Sequence, residues 1–232
     1  MHMFLLILQA ALIAGCIYLN LRGFMKLDKN HGMEFKTKTW ILLLAGSLVA
    51  AGIWIRMTDG DTVSVKTAWM LIQIYFVLCS LTDIMTCQVY DICQYPAVAA
   101  AAFLALQGPG QVEMGISILL FVGLQYGIFM RLYGAADGMA LLVAALAECS
   151  MGYDINMYLF HMIMAYLLMG VLQAFRGNIG IRGRLKRPVP FVPYITVSFW
   201  IILIFGEKVW YTYIQNGEYF QIWRIVENEL GK

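Results

Sequence analysis

Two aspartates lie at the edges of apolar segments, where a charged side chain is costly and therefore points to function. Asp83 lies among mostly apolar residues and has no Lys or Arg within one helical turn. Asp137 opens another apolar segment. Two carboxyl groups held close together in a low dielectric share one proton, so one can draw a proton from water while the other polarises a carbonyl group. Asp83 and Asp137 therefore predict the catalytic pair of an aspartic protease.

Small residues surround Asp137. Gly134, Ala135, Ala136 and Gly138 would let an extended peptide approach the backbone closely. Small residues also favour close packing of helices, and both uses are compatible. Asp137 itself has a simpler interpretation as a helix N-cap, since Asp is favoured at that position. A cap does not explain a second unpaired aspartate at the same predicted depth, which favours the catalytic interpretation.

The composition of the chain indicates which elements must position these residues. Of 232 residues, 61% are hydrophobic and only 13% are charged, whereas soluble domains carry about 45–50% apolar and about 25% charged residues. This excludes an ordinary soluble enzyme, a disordered chain and a nucleic-acid binder with a basic face. We predict an all-α polytopic membrane protein, a transmembrane helix bundle of about eight spans that forms one domain over residues 1–232. Its expected surroundings are a lipid bilayer, with no nucleic-acid partner.

Apolar windows separated by polar breaks predict the spans. They cover residues 3–21, 39–57, 67–85, 95–107, 114–132, 138–150, 155–175 and 194–212. The catalytic core is expected at about 67–210. The tail 213–232 mixes aromatic, basic and acidic residues, which suits either an interfacial amphipathic helix or an ordered surface tail.

Basic residues predict the orientation of the bundle. If eight spans alternate, eleven of the sixteen Lys and Arg residues fall on one side. They are Arg22, Lys26, Lys29, Lys36, Lys38, Arg131, Arg176, Arg182, Arg184, Lys186 and Arg187. The positive-inside rule places this side in the cytoplasm and both termini outside. The expected location is the cell inner (cytoplasmic) membrane, with Asp83 and Asp137 at the cytoplasmic face.

Other polar residues fit simpler interpretations. Glu148 lies near the outer end of the sixth predicted span, where its side chain is expected to snorkel towards water. His161 lies in mid-span and is expected to be packed and hydrogen-bonded rather than a ligand. The sequence contains no HExxH and no GxSxG, which disfavours a membrane metalloprotease and a serine protease. We predict no metal site and no cofactor.

Three segments resemble motifs of the type IV prepilin peptidases, a family of intramembrane GxGD-type aspartyl proteases. The stretch Asp83–Asp91 is similar to their first motif, an aspartate followed by a short polar turn and Ile-Pro-Asn. The stretch Gly134-Ala-Ala-Asp137 resembles Gly-x-Gly-Asp-x-Lys. The stretch Val189-Pro-Phe-Val-Pro-Tyr194 resembles the Pro-Phe-Gly-Pro entry to a late span. The order, spacing and predicted side of these segments agree with the family.

This resemblance implies an endopeptidase that cuts prepilins or pseudopilins after a short basic leader, just before their hydrophobic helix. It makes Asp83 and Asp137 the catalytic dyad, and it gives Pro190, Phe191 and Pro193 a place on the substrate side. Larger members carry a cysteine-rich cytoplasmic loop that goes with N-methylation of the mature pilin. This chain resembles a short form that lacks the loop, so no methyltransferase activity is expected.

The chain departs from the family's motifs at several positions. Val89-Tyr90-Asp91 stands in place of Ile-Pro-Asn, Ala136 in place of the second Gly, and Met139 in place of the Lys. Asp91 is interpreted as a solvated residue in a cytoplasmic turn, close to bound substrate. Two alternatives stay open: a catalytically inactive relative that acts in pilus assembly, and a transporter that uses the same aspartates as a proton relay.

Overall fold

The structure is a computed structural model and describes residues 2–27, 37–58, 60–108, 123, 134–176 and 189–206. All regular secondary structure in these ranges is α-helical, as the predicted fold class requires. The helices are α1 (His2–Leu27), α2 (Thr37–Met57), α3 (Val63–Thr86), α4 (Asp91–Gln107), α5 (Ala135–Ser150), α6 (Ile155–Phe175) and α7 (Val192–Gly206). The predicted span 114–132, except residue 123, and the tail 213–232 lie outside the described residues.

Four of these helices, α1, α2, α3 and α6, are long and apolar enough to cross a membrane. Such helices indicate a membrane protein. α3 is the central helix of the four, because 67% of its most apolar window is buried against 17–28% in the other three. Its neighbours therefore determine where the side chains of α3, including Asp83, are placed.

Three helix boundaries differ from the predicted ones by four residues or more. α3 begins at Val63 rather than at residue 67. α1 continues to Leu27, beyond the predicted end at residue 21, because a basic residue such as Lys26 in the last turn interacts favourably with the carbonyl end of a helix. α4 begins at Asp91 rather than at residue 95, because an acidic residue in the first turn suits the positive end of the helix dipole. The predicted connector 86–94 is thereby reduced to residues 87–90.

On one face of α3, two helices pack through apolar side chains. Ile17 of α1 and Leu43 of α2 are buried in one cluster with Val77, Leu78 and Leu81 of α3. α1 and α2 also pack against each other. We call these two helices the N-terminal layer.

A second apolar cluster joins α3 to α4, α5, α6 and α7, and it also includes Ile53 of α2. α4 and α5 pack closely, and their buried residues include Ala101 and Ala144. Small residues let helix backbones approach one another in membranes. The ends of these helices also meet, since a Cβ at Gly108 would overlap the backbone of Ser150. α5, whose first turn carries Asp137, is thereby held against α4.

α7 is joined to α3 by side-chain hydrogen bonds as well as by packing. The hydroxyl groups of Ser80 and Thr196 lie 2.8 Å apart and are buried. Nearer the other end of α7, the indole N–H of Trp200 donates to Oε1 of Gln73 at 2.9 Å. Hydrogen bonds of this kind fix one helix relative to another, because each has a preferred distance and direction.

Candidate active site

Asp83 lies in the last turn of α3 and is 6% exposed. Its Oδ2 atom accepts a hydrogen bond from the backbone N–H of Val192 at 3.0 Å, and the N–H of Phe191 also donates to this carboxyl group. Both donors belong to the start of α7, where the first N–H groups of a helix have no partner within the helix. Asp83 therefore caps α7 from another helix, and α7 stabilises negative charge on Asp83.

The sequence Pro190-Phe-Val-Pro193 explains why these two donors serve Asp83. Proline has no N–H, so neither Pro190 nor Pro193 donates a hydrogen bond. The next two N–H groups along α7 lie 3.0 and 3.3 Å from the Phe191 carbonyl oxygen and are used there. The structure thus places the late Pro-containing segment, including Phe191, directly beside Asp83.

Asp137 lies in the first turn of α5 and is half-buried. Its Oδ2 atom accepts a hydrogen bond from the Gly134 N–H at 3.2 Å, and its own N–H lies 3.1 Å from the Gly134 carbonyl oxygen. Gly134 is the N-cap of α5, so the interpretation of Asp137 as the cap is wrong. Asp137 is the third helical residue and bonds back to the cap, which holds its carboxyl group at the start of α5.

The two carboxyl groups act on each other electrostatically. Asp137 precedes the predicted span 138–150. Burial raises the pKa of Asp137 to about 6; the negative charge of Asp83 acts in the same direction, and the hydrogen bond from Gly134 acts against it. Two carboxylates that share a site behave in this way. α3 and α5 therefore place the two aspartates that the sequence singles out near enough for the charge of Asp83 to act on Asp137.

The small residues predicted to admit a substrate lie at the start of α5. Gly134 and Ala135 are exposed, and Ala136 and Gly138 are half-buried. None of these four positions carries a side chain larger than a methyl group, so the backbone beside Asp137 is open to a close approach.

Asp91 is the first residue of α4 and is exposed. The preceding residue, Tyr90, stacks on Phe24 of α1 with the ring centroids 4.2 Å apart. This aromatic contact fixes the start of α4 against α1. Asp91 thus belongs to the exposed start of a helix and differs in burial from Asp83 and Asp137.

The buried position of Glu148 contradicts the expectation that its side chain snorkels towards water. Glu148 is 0% exposed, and its Oε1 atom lies 2.6 Å from Nδ1 of His161. His161 is itself buried and its Nε2 atom lies 3.1 Å from the carbonyl oxygen of Ile195, as expected of a packed, hydrogen-bonded histidine. A buried acid needs a polar partner, and His161 takes the place of water.

The pairing of Glu148 with His161 cannot be predicted by considering each residue on its own. The available signal is the presence of an acid and a histidine on two helices, α5 and α6, that are separated only by residues 151–154. Gly152 in this connector has a φ of 79°, a conformation that suits glycine in a tight turn. A tight turn keeps the adjoining parts of two helices near each other.

Among the described residues, no group of three or more His, Cys, Asp or Glu side chains is placed to hold a metal ion. Comparison of the chain with protein-family models, with curated proteins and with solved structures finds no match in any of the three. The function must therefore be inferred from the residues and their geometry.

Proposed function

We propose that the protein is an intramembrane aspartyl endopeptidase with Asp83 and Asp137 as its catalytic dyad. The feature that supports this most directly is the placement of two part-buried or buried carboxyl groups from separate helices, near enough for the charge of Asp83 to add to the effect of burial on the pKa of Asp137. A coupled pair of this kind can hold one proton between two acids. Together with the resemblance of three segments to prepilin-peptidase motifs, this coupling favours peptide hydrolysis.

In the proposed reaction, Asp83 begins as the carboxylate and Asp137 as the carboxylic acid. Asp83 takes a proton from a water molecule whose oxygen bonds to the carbonyl carbon of the scissile peptide, while Asp137 donates its proton to the carbonyl oxygen. The C–N bond then breaks. The leaving amine takes the proton from Asp83, and a hydroxyl group of the intermediate returns a proton to Asp137. The N–H groups at the start of α7 favour the charged form of Asp83 that begins each cycle.

The proposed membrane arrangement has eight spans, with both termini outside and the dyad facing the cytoplasm from the inner membrane. Segments 22–38 and 176–187 together carry ten of the sixteen Lys and Arg residues, and the positive-inside rule assigns such segments to the cytoplasm. In an alternating bundle of eight spans, the end of α3 and the start of α5 fall on this same side.

The proposed substrates are prepilin-like or pseudopilin-like membrane proteins with a short basic leader and a hydrophobic helix. Cleavage between these two parts suits a site on the cytoplasmic side, because such leaders stay in the cytoplasm. The exposed Gly134 and Ala135 support access of an extended peptide to the backbone beside Asp137. Cleavage without methyl transfer is proposed, since the chain lacks the cysteine-rich loop of the larger peptidases.

Separate Asp83→Asn and Asp137→Asn variants test this function. The assay uses purified protein and a synthetic peptide with a basic leader and a hydrophobic helix, and each variant is expected to lose cleavage by about 1,000-fold or more. Asp61→Asn changes an exposed aspartate ahead of α3 and is the matched control, with cleavage at the wild-type rate. Wild-type cleavage in either dyad variant contradicts the proposal. Loss of cleavage in Asp91→Asn, with activity kept in Asp83→Asn, would reassign the dyad.

A further inference from the structure

A buried acid that the proposed reaction does not use lies in α5. Glu148, near the end of that helix, and His161, in α6, are both fully buried, and Oε1 lies 2.6 Å from Nδ1. The other ring nitrogen of His161 lies 3.1 Å from the carbonyl oxygen of Ile195 in α7. These three residues form one polar connection through three helices, which we call the α5–α7 link.

The α5–α7 link contains one proton that its two side chains can share. A backbone carbonyl only accepts, so Nε2 of His161 carries a hydrogen and donates it to Ile195. The proton between Nδ1 and Oε1 belongs either to a glutamic acid beside a neutral imidazole or to an imidazolium beside a carboxylate. Oε1 and Nδ1 approach to 2.6 Å without the angles of an ordinary hydrogen bond, and Glu148 Oε2 has no hydrogen-bond partner in the described part of the chain. An uncharged oxygen is less costly to leave unpaired than a charged one, which favours the glutamic acid form.

Aromatic neighbours restrict the ring of His161. Tyr158 meets it at 90° with the ring centroids 6.4 Å apart, and Phe199 of α7 lies 6.0 Å away at an interplanar angle of 30°. Since both ring nitrogens also face polar partners, rotation of the ring would break the link. His161 therefore joins Glu148 to α7 in one geometry.

The α5–α7 link ends on the turn of α7 that holds Asp83. Ile195 follows Val192 by three residues, about 4.5 Å along a helix, and the Val192 N–H donates to Asp83 at 3.0 Å. A shift of α7 at Ile195 therefore displaces a donor to Asp83. A misplacement of about 1 Å at a reacting group can lower an enzyme's rate about 100-fold.

We propose that Glu148 and His161 are positioning residues that fix the first turn of α7 and, through it, the carboxyl group of Asp83. This role rests on the proposed peptidase function. Neither residue contacts the reacting atoms in the proposed reaction, so their removal is expected to lower kcat more than it changes KM.

A double substitution separates positioning from folding. Glu148→Met alone leaves His161 without its buried partner, so both stability and kcat are expected to fall. The double variant E148M/H161L replaces the link by apolar side chains, a kind of change that is often neutral or stabilising. It is expected to regain the wild-type unfolding temperature, while kcat stays about 10- to 100-fold low and KM changes less than about threefold. Return of kcat to the wild-type value in the stable double variant overturns the proposal.

A conservative variant and a matched control sharpen this result. Glu148→Gln keeps a neutral link, since the amide N–H can donate to His161 while the ring still donates to Ile195. Its kcat is expected within about threefold of the wild-type value, and a folded E148Q protein as slow as E148M overturns positioning as the role. The control, Trp54→Phe, removes the 2.7 Å bond from the indole N–H to the Lys66 carbonyl oxygen between α2 and α3. It is expected to leave kcat unchanged.

The amide of Val192 gives a readout that does not depend on cleavage. In protein labelled with 15N-valine, its signal is identified by its absence from the Val192→Ile variant. Hydrogen exchange at this amide is expected to be about tenfold faster in E148M/H161L than in the wild type or Trp54→Phe. If Asp83→Asn still cleaves, the proposed function fails. The exchange rate of the Val192 amide then decides by itself whether the α5–α7 link positions α7. Unchanged exchange overturns that inference.

Discussion

The N-terminal layer and α7 are attached to α3 in different ways. α1 and α2 pack on α3 through a cluster of apolar side chains that includes Ile17, Leu43 and Val77. The hydrogen bond from Trp54 of α2 to the Lys66 carbonyl oxygen lies in the first turn of α3, at the opposite end of that helix from Asp83. In addition to packing, Val192 of α7 donates a hydrogen bond to Asp83 of α3, and Thr196 of α7 is hydrogen-bonded to Ser80 of α3. Lipid tails are as apolar as the side chains of the cluster, so apolar burial alone gives a membrane helix little preference for one position. Hydrogen bonds are directional and specify one register.

This difference indicates which part of the molecule sets the geometry of the proposed dyad. On the α7 side, a hydrogen bond to Asp83 itself fixes the position of its carboxyl group. The N-terminal layer packs on α3, and its hydrogen bond from Trp54 is made at the far end of α3 from Asp83. Changes on the α7 side should therefore act mainly on the rate of cleavage, and changes in the N-terminal layer mainly on stability.

After substitution of the two aspartates themselves, the largest expected effect is that of pH on the proposed dyad. Burial raises the pKa of Asp137 to about 6, so this residue loses its proton as the pH rises through that value. We expect kcat to be highest below pH 6 and to fall about tenfold for each pH unit above it. Measurement of kcat between pH 5 and pH 8 checks the effect. A flat profile contradicts the assignment of Asp137 as the acid.

The raised pKa of Asp137 also predicts how the stability of the protein changes with pH. A substitution in the N-terminal layer provides the comparison. An aspartate whose pKa rises on folding contributes stability below its ordinary value of 3.8, and this contribution is lost as the pH rises through about 6. Asp137→Asn cannot ionise and is expected to remove this part of the pH dependence of the unfolding temperature. Ile17→Ala, a change in the N-terminal layer, should keep it.

A smaller effect is expected from the removal of one backbone donor on the α7 side. Val192→Pro deletes the N–H that donates to Asp83, and proline is well tolerated at the first residue of a helix. We expect kcat to fall about tenfold, as for the loss of one hydrogen bond to a charged group. Val189→Pro, a change outside α7, is the control. An unchanged kcat in Val192→Pro would show that the N–H of Val192 does not set the rate.

The smallest effect on the rate is expected in the N-terminal layer. Ile17 is fully buried, whereas Leu19 on the same helix is 66% exposed. Ile17→Ala is expected to lower the free energy of unfolding by about 2 kcal/mol through lost packing, with kcat within about threefold of the wild-type value. Leu19→Ala is the control for substitution on α1 and should change neither quantity. A loss of kcat in Ile17→Ala as large as in Val192→Pro would remove the distinction between the two regions.

Helices are predictable from this sequence where apolar side chains follow one another without a break. α2 and α6 match the predicted spans 39–57 and 155–175 to within two residues, because hydropathy alone defines such segments. The ends at Leu27 and Asp91 differ more, because capping and dipole effects at helix ends do not appear in a hydropathy pattern.

The aspartates can be selected from the sequence, but the groups that hold them cannot. An unpaired acid is rare in apolar sequence, which is why Asp83 stands out. Its partners are backbone N–H groups of Phe191 and Val192, and every residue except proline carries such a group. Glu148 shows the same limit, since a buried acid and a snorkelling acid have similar local sequences. Only the partner, His161 on another helix, distinguishes them.

The segment between Pro190 and Pro193 is expected to tolerate changes of side chain better than changes of length. Asp83 binds main-chain atoms of Phe191 and Val192, so other side chains of similar size can replace these two without loss of the hydrogen bonds. Insertion of one residue after Val192 would instead rotate the rest of α7 by about 100° and turn Thr196 away from Ser80. Related chains are therefore expected to vary in the composition of this segment and to keep its length.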